Sequence, residues 1–228
     1  MKIKKNLGLV LATVTATSVL AFSGCDLLNS FLPGTSSTEE PTGKNALTME
    51  AEYIDIDDVA GAGISNNTSG LSMIYGDGTD AQKKIWSNGY YVGYTHNSTT
   101  ELEFVFNSSK ATTANITFML GSEIGDITLN SDSITILVNS EEQNLPNWWV
   151  AGSEMDTATF TACKLSSLVS LKEGENKIVF KVIANNLGGN GITRGPHIDC
   201  VKVTATDTGT ELSWTPHTDN PERRDNQV

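Results

Sequence analysis

The chain has 228 residues, of which 27 are Asp or Glu and 15 are Lys or Arg, giving a formal net charge of −12 at pH 7. Such an acidic surface repels nucleic acid phosphates and anionic lipid headgroups, and it favours divalent cations. The composition therefore excludes nucleic acid as a partner. The length is sufficient for one domain with a substantial hydrophobic core.

The N-terminus has the pattern of an export signal. Three lysines within residues 1–5 precede an apolar run, residues 7–22, that is too short to span a bilayer as a stable helix. Small residues then lead to Cys25, and the sequence Phe-Ser-Gly-Cys at 22–25 resembles the lipobox of bacterial lipoproteins. That resemblance implies cleavage before Cys25, lipid on its sulfur, and a protein held by acyl chains on the extracellular face of the cell membrane or outer membrane. An ordinary signal peptide with an incidental cysteine is the alternative.

Three segments follow this signal peptide of residues 1–24. Residues 25–46 contain a stretch rich in Pro, Gly, Ser, Thr and Glu, which predicts a flexible linker. Residues 47–205 are predicted to form the folded domain, and residues 206–228 a polar C-terminal tail of unassigned role. No second apolar run in the sequence is long enough for a transmembrane helix.

The predicted domain alternates apolar and polar residues with the two-residue period of β-strands. Turn segments rich in Gly, Asn and Asp separate the runs, and no segment keeps a helical apolar stripe for more than about two turns. Many short antiparallel strands predict an all-β fold, a β-sandwich or jelly roll, with binding sites near loops at its edges. The clearest runs are 101–106, 115–120, 133–138, 177–183 and 198–203.

Carboxylates occur where a cation could bind. Glu50 and Glu52 are two residues apart at the start of the first strand, so they would project from one face and repel each other unless a cation or protons neutralise them. Asp199 stands inside an apolar strand, where a lone carboxylate is costly without a partner. A hard cation such as Ca²⁺ prefers oxygen ligands of this kind. Solvent-facing strand acids are the alternative, and spacing alone favours that alternative.

Four short motifs follow one another in a fixed order: Met-Glu-Ala-Glu at 49–52, Asn-Gly-Tyr-Tyr-Val-Gly-Tyr at 88–94, Leu-Lys-Glu-Gly-Glu-Asn-Lys-Ile at 171–178, and Gly-Pro-His-Ile-Asp-Cys-Val-Lys-Val at 195–203. Together they resemble the carbohydrate-binding modules of families 6 and 35, which are galactose-binding-like β-sandwiches. The resemblance covers the whole predicted domain. It implies a jelly roll that binds carbohydrate without catalysis, and a structural calcium ion whose binding adds to folding stability. The residues that match its ligands are Glu50, Glu52 and Asp199.

The resemblance also indicates candidate sugar contacts. Pyranose rings lay their apolar C–H faces on Trp or Tyr rings, while their hydroxyls need fixed polar partners. Tyr91 matches an aromatic position of the family. Trp148 and Trp149 are candidate contacts because of their place in a loop, with packing in the core as an equally weighted alternative. His197 stands where the family has an asparagine that bonds sugar hydroxyls, a departure that changes reach and pH dependence.

The sequence therefore predicts a lipid-anchored surface protein that binds a polysaccharide or oligosaccharide through an aromatic-lined cleft, beside glycan-degrading enzymes or transporters. An adhesin or scaffold that binds protein with the same sandwich is the alternative, and a small hydrolase is a third hypothesis. Catalysis finds little support, because no G-x-S-x-G or H-E-x-x-H motif occurs. Cys163 and Cys200 could form a disulfide or remain buried thiols, and spacing does not decide between them.

Overall fold

The computed structural model describes residues 43–55, 59–60, 74–76, 87, 90–93, 95, 98–123, 125–153, 160–184, 187 and 195–218. The chain divides into two units, Met1–Thr35 and Ser36–Val228, and every described residue belongs to the second. The predicted signal peptide, Cys25, the linker up to residue 42 and the tail from residue 219 lie outside the described residues. Among those that are described, no helix is long and apolar enough to cross a membrane.

Strands make up nearly all of the regular structure, which confirms the all-β class predicted from the alternation of apolar and polar residues. One 3₁₀ turn, Ala51–Tyr53, follows the first strand directly. The strands in the described part of the chain are β1 (Ala46–Glu50), β2 (Val59–Ala60), β3 (Ile74–Gly76), β4 (Tyr90–Val92), β5 (Glu101–Ser108), β6 (Thr112–Glu123), β7 (Ile127–Leu129), β8 (Ile134–Val138), β9 (Glu141–Glu142), β10 (Trp148–Val150), β11 (Gly152–Ser153), β12 (Thr161–Lys164), β13 (Val169–Leu171), β14 (Gly174–Val182), β15 (Pro196–Ala205) and β16 (Leu212–Ser213).

The strands form two main sheets and a ribbon. In the first sheet β6 and β15 pair at the centre, β1 and β4 also pair with β15, the strands β11 to β13 also pair with β6, and β3 extends from β4. The second sheet has the order β16-β5-β14-β8-β9, with β2 also on β5. The strands β7 and β10 form a two-stranded antiparallel ribbon. The architecture is a β-sandwich, as the sequence predicts.

The hydrophobic core lies between the two sheets and follows from the two-residue period. Along β5 the buried and partly exposed side chains alternate, which places Phe104 and Phe106 inside. From the first sheet Phe118 meets Phe180 of the second, with ring centroids 5.7 Å apart. Trp148 of the ribbon packs on the same ring at 5.9 Å. Aromatic side chains of this size supply much of the apolar area that stabilises a domain core.

The antiparallel run of β1 along β15 distinguishes the two ends of the sandwich. Ala46 pairs with Thr204 at one end, and Glu50 pairs with Cys200 toward the other. We call the end that holds Lys44, Ala46 and Thr204 the near pole, because the chain enters the described domain there. The far pole is the end that holds Glu50 and the start of β15. The ten residues of β15 correspond to about 30 Å between the poles at ~3.3 Å per residue.

Part of the segment predicted as a polar tail belongs to the sandwich. Strand β16 pairs with β5, and the Leu212 amide donates a hydrogen bond of 2.8 Å to the Lys44 carbonyl. Trp214 packs against the core. The His217 amide then donates to the Tyr53 carbonyl at 2.8 Å. Residues 212–218 therefore cross from the near pole to the far pole, and we call them the C-terminal strap.

A buried asparagine explains the third sequence motif. The Oδ1 atom of Asn176 accepts hydrogen bonds from the Lys172 amide and from Asn139 Nδ2, both at 2.9 Å. Its Nδ2 atom donates to the carbonyls of Lys172 and Gly174, also at 2.9 Å. Gly174 has a φ of 85°, a conformation that glycine adopts without steric cost. The motif therefore encodes the turn that starts β14.

Replacing Asn176 with Ala should lower the free energy of unfolding by about 2–4 kcal/mol, because it leaves several buried donors and acceptors without their partner. Urea denaturation measures the loss. Asn147→Ala, at an exposed position, is the matched control and should change stability little. Equal effects of the two substitutions would show that the turn does not depend on this side chain.

Candidate functional site

A β-bulge in β15 directs the site residues to one face. Ile198 and Val201 both lie in the core, with Asp199 and Cys200 between them, whereas β6 has only Met119 between their pairing partners. Regular alternation would turn one of the two intervening side chains into the core. The extra residue instead allows both Asp199 and Cys200 to lie on the outer face of the first sheet, as bulges near functional sites commonly do.

The three predicted acid ligands occupy one buried region at the far pole. Glu50 ends β1, Glu52 lies in the 3₁₀ turn and Asp199 lies in the bulge; their exposed fractions are 7%, 1% and 4%. Ser87 bridges two of them. Its Oγ donates to Glu50 Oε1 at 2.7 Å, and its amide donates to Asp199 Oδ1 at 2.9 Å. We call Glu50, Glu52, Asp199 and Ser87 the acid cluster.

Burial and mutual repulsion disfavour charge on these carboxyls. The pKa of Asp199 is raised to about 8, first by burial and then by the negative charge of Glu50, while the hydrogen bond from Ser87 lowers it. The pKa of Glu52 is raised well above its usual value, first by burial and then by the charge of Glu50. Protons or a cation must therefore offset the repulsion within the acid cluster.

The donor set suits a hard cation, but its spacing is not that of a finished coordination sphere. Within the described ranges, no group of three or more His, Cys, Asp or Glu side chains is arranged to hold a metal ion. Carboxylate and hydroxyl oxygens are nevertheless the ligands that Ca²⁺ prefers. The thiol of Cys200 lies beside the acid cluster, 3.7 Å from Asp199 Oδ2. The types of oxygen ligand in the acid cluster therefore fit Ca²⁺, whereas the distances between these ligands do not match a complete coordination sphere.

Two predicted sugar contacts are enclosed by other side chains. Tyr91 has no exposed surface, and its ring centroid lies 5.0 Å from that of His197 and 5.5 Å from that of Phe160, in edge-on arrangements. His197 is 4% exposed, and burial lowers its pKa to about 4, which keeps it neutral at pH 7. Tyr91, Phe160, Met119 and Cys200 form a second, small hydrophobic cluster. In this structure Tyr91 offers no ring face to a sugar, and His197 offers almost none.

The tryptophan pair divides between core and solvent. Trp148 is 6% exposed, and its Nε1 donates a hydrogen bond of 3.1 Å to the Lys164 carbonyl. Trp149 is 55% exposed. Its cross-strand neighbour Thr128 is exposed too, because alternation along the ribbon turns both side chains outward. Trp149 is therefore the one predicted sugar contact whose ring is open to solvent.

The ribbon that carries Trp149 lies level with the middle of the first sheet, because Trp148 bonds Lys164, which pairs with Thr117 of β6. Soon after Trp149 the chain enters β11, where Gly152 pairs with Ser122 near the end of β6. Gly152 packs so closely on Gly125 that an added Cβ would lie 1.9 Å from the Gly125 carbonyl carbon. Its amide donates to Asp126 Oδ1 at 2.9 Å. These contacts brace the chain three residues after the exposed indole.

The two cysteines of the domain are free and buried thiols, so no disulfide links them. Cys163 belongs to the main core, and Cys200 to the second cluster on the other face of the sheet. Burial raises the pKa of Cys163 to about 12. Burial, followed by the charge of Asp199, raises that of Cys200 well above its usual value. Both thiols therefore stay protonated and unreactive at neutral pH.

The fold is a β-sandwich whose structural neighbours include carbohydrate-binding modules of family 35, which confirms the predicted resemblance as a likeness of fold. A family 35 module from an environmental isolate shares 12% identity over 75% of this chain and 99% of that one, with a TM-score of 0.45. A family 35 module from Clostridium thermocellum shares 17% identity over 69% and 96%, with a TM-score of 0.40.

A third similar structure is the GH26-CBM35 β-(1,4)-mannanase of Podospora anserina, with 16% identity and a TM-score of 0.45. The match covers 72% of this chain and 28% of the mannanase, so this chain spans well under half of that enzyme. No protein-family model and no curated protein matches the chain. At these identities and TM-scores, the likenesses concern the fold and carry no argument about a ligand.

The acid cluster should make the cation-free protein less stable as the pH rises. Folding raises the pKa of Asp199 from 3.8 to about 8. The contribution of this carboxyl to stability is therefore fully present below pH 3.8, and it is lost as the pH rises toward about 8. Asp199→Asn keeps the shape without the charge. In EDTA, the unfolding free energy of the wild type relative to this variant should fall by about 5 kcal/mol between pH 4 and pH 8.

Urea denaturation at several pH values measures this difference. Glu142→Gln, at an exposed position of β9, is the control and should keep the pH dependence of the wild type. Parallel pH profiles for the wild type and Asp199→Asn would contradict the description of the acid cluster.

Proposed function

We propose that this protein is a non-catalytic carbohydrate-binding module, anchored by lipid on Cys25 at the extracellular face of the membrane, which binds a polysaccharide or oligosaccharide on the ribbon of β7 and β10. The observation that carries the proposal is the exposed indole of Trp149, 55% accessible on a strand whose flanking side chains, Trp148 and Val150, are buried. Bound glycan would be held near surface enzymes or transporters that use it.

The support for this role is physical. An indole face matches the apolar C–H face of a pyranose, and a side chain with two rotatable bonds loses little entropy when it binds. The braced backbone around Gly152 lowers that cost further, since it holds the ring in place before the ligand arrives. Covering about 100 Å² of apolar ring surface contributes about 2.5 kcal/mol. That is enough for a weak, reversible contact with one sugar unit.

Calcium is the second part of the proposal. A bound Ca²⁺ would accept Glu50, Glu52 and Asp199 as ligands, with the Ser87 hydroxyl beside them, and would offset the repulsion that raises their pKa values. Because Glu50 belongs to β1 and Asp199 to β15, the ion would join the first and last long strands of the first sheet. Its role is structural, and the sugar contact lies on the ribbon.

Removal of calcium should therefore lower the melting temperature. Millimolar EDTA should reduce it, and an excess of Ca²⁺ should restore it, because a ligand of the folded state stabilises that state by mass action. Calorimetry of the wild type and of Glu52→Gln measures the effect, and the variant should lose most of the response to Ca²⁺. Glu142→Gln should respond as the wild type does. A melting curve that ignores both EDTA and Ca²⁺ would remove the calcium assignment.

Glycan binding should depend on Trp149. Affinity electrophoresis against a panel of soluble plant, fungal and bacterial polysaccharides should show retardation of the wild type by at least one of them. Trp149→Ala should weaken that binding roughly ten- to hundredfold, while Trp149→Tyr should retain much of it. Leu168→Ala removes an apolar side chain of similar exposure, 52%, next to β13, and should bind as the wild type does. Absence of retardation by the whole panel would refute the proposed function and favour a protein partner.

A further inference from the structure

The outer face of the ribbon carries polar side chains beside Trp149. Successive side chains of a strand point to opposite faces, so Asp126, Thr128 and Asn130 lie on one face of β7 and its two ends. Asp126 and Thr128 are exposed and Asn130 is partly exposed, whereas the side chains between them are buried. We call Asp126, Thr128 and Asn130 the polar row.

The indole lies beside the middle of the polar row. Trp149 of β10 pairs with Thr128 in the antiparallel ribbon, and side chains directly opposite each other have Cβ atoms about 5 Å apart. Asp126 and Asn130 follow at about 7 Å along β7 in either direction. The polar row is therefore about 13 Å long, which exceeds a single pyranose ring, and the apolar ring surface lies at its centre.

Hydrogen bonds from the backbone orient both ends of the polar row. The Gly152 amide donates to Asp126 Oδ1 at 2.9 Å, and the Asp132 amide donates to Asn130 Oδ1 at 2.9 Å. Each bond holds one oxygen in place, so the second terminal atom of the side chain, Oδ2 or Nδ2, has a restricted position as well. Groups that are oriented before a ligand arrives lose little entropy when they bind it.

These three side chains suit the hydroxyl groups of a sugar. A carboxylate accepts hydrogen bonds, an amide nitrogen donates them, and a threonine hydroxyl does either. A pyranose that lies on the indole meets Thr128 first, because Thr128 is the direct cross-strand neighbour of Trp149. Only a ligand with a second sugar unit extends along β7 to Asp126 or Asn130.

We infer that the polar row and Trp149 form one binding site for a segment of at least two linked sugar units, which runs along β7. One unit lies on the indole and bonds Thr128, and a neighbouring unit bonds Asp126 or Asn130. This inference rests on the proposed function and extends it, because it makes a chain segment, and not a single sugar, the ligand and assigns its polar contacts.

Oligosaccharides of different length test the extent of the site. Fragments of one to six units, released from a polysaccharide that retards the wild type, are titrated into ¹⁵N-labelled protein, and NMR spectra give the affinity for each length. Affinity should rise about tenfold between one and three units. Three equivalent units supply about threefold by statistics alone, and a rise no larger than that statistical factor would overturn the inferred site.

Two substitutions change the outward atom of the polar row and keep the bond from the backbone. Asp126→Asn retains Oδ1 for the Gly152 amide, and Asn130→Asp retains Oδ1 for the Asp132 amide. Either should lower the affinity for the hexasaccharide about three- to tenfold. Neither should change the affinity for the monosaccharide, which does not reach the ends of the row.

Thr128→Val removes the hydroxyl beside the indole and should weaken binding of every length by a similar factor. Thr135→Val, on the outer face of β8 in the second sheet, is the matched control and should bind as the wild type does. Losses that are equal at all lengths for Asp126→Asn and Asn130→Asp, or no loss for the hexasaccharide, would overturn the inferred site and leave Trp149 as a sugar contact. Absence of retardation by the whole panel would instead refute the proposed function, and this site with it.

Discussion

The pairing of β1 with β15 is the constraint on which the candidate site depends. It joins segments about 150 residues apart and places Glu50 opposite Cys200. Because side chains alternate with a period of two, a slip of one residue would turn Glu50 into the core and Met49 out of it. The buried Met49 and Val201 oppose that slip. Hydrophobic packing on the inner face therefore determines where the carboxylates lie on the outer face.

The bulge resolves a conflict within β15. Ile198 packs in the core before Asp199, and Val201 and Val203 pack in the core after it. The inward-facing side of β15 is therefore determined on both sides of Asp199. Without an extra residue, Asp199 or Cys200 would have to enter the core, and an isolated carboxylate there costs many kcal/mol. The bulge allows both to leave the core. The cost is a local loss of regular pairing next to the acid cluster, where Ser87 supplies hydrogen bonds from another segment.

The sequence predicts the fold better than the surroundings of the site. Alternation in residues 101–106 specifies which side chains of β5 face inward, and the burial pattern follows it. Alternation also places Tyr90 and Tyr91 on opposite faces of β4, but it does not predict that Tyr91 is buried. That burial depends on Phe160, which reaches Tyr91 from a distant part of the chain. Ser87 belongs to no periodic run of the sequence, so its hydrogen bonds to the acids could not be inferred.

The same limit applies to the tryptophans and to the C-terminal strap. Alternation requires that Trp148 and Trp149 face opposite ways, but only the register of the ribbon, with Trp148 opposite the buried Leu129, decides which one is exposed. Strand β16 has two residues in a polar segment, too few for a pattern. Local periodicity thus specifies faces, whereas contacts between distant segments specify which of those faces remain open.

The connections between the acid cluster and Trp149 indicate how a cation and a glycan would influence each other. Gly152, close to Trp149, and Pro196, at the start of β15, both pair with Ser122 of β6. In the described part of the chain, the ribbon contacts β6 and β12, and β6 pairs with the strand of Asp199. An ion at the acid cluster would neutralise charge and hold β1 to β15, while the contacts of Gly152 with Gly125 and Asp126 brace the indole independently. Cation binding should consequently act mainly on folding stability, and the affinity for glycan should depend mainly on the ribbon.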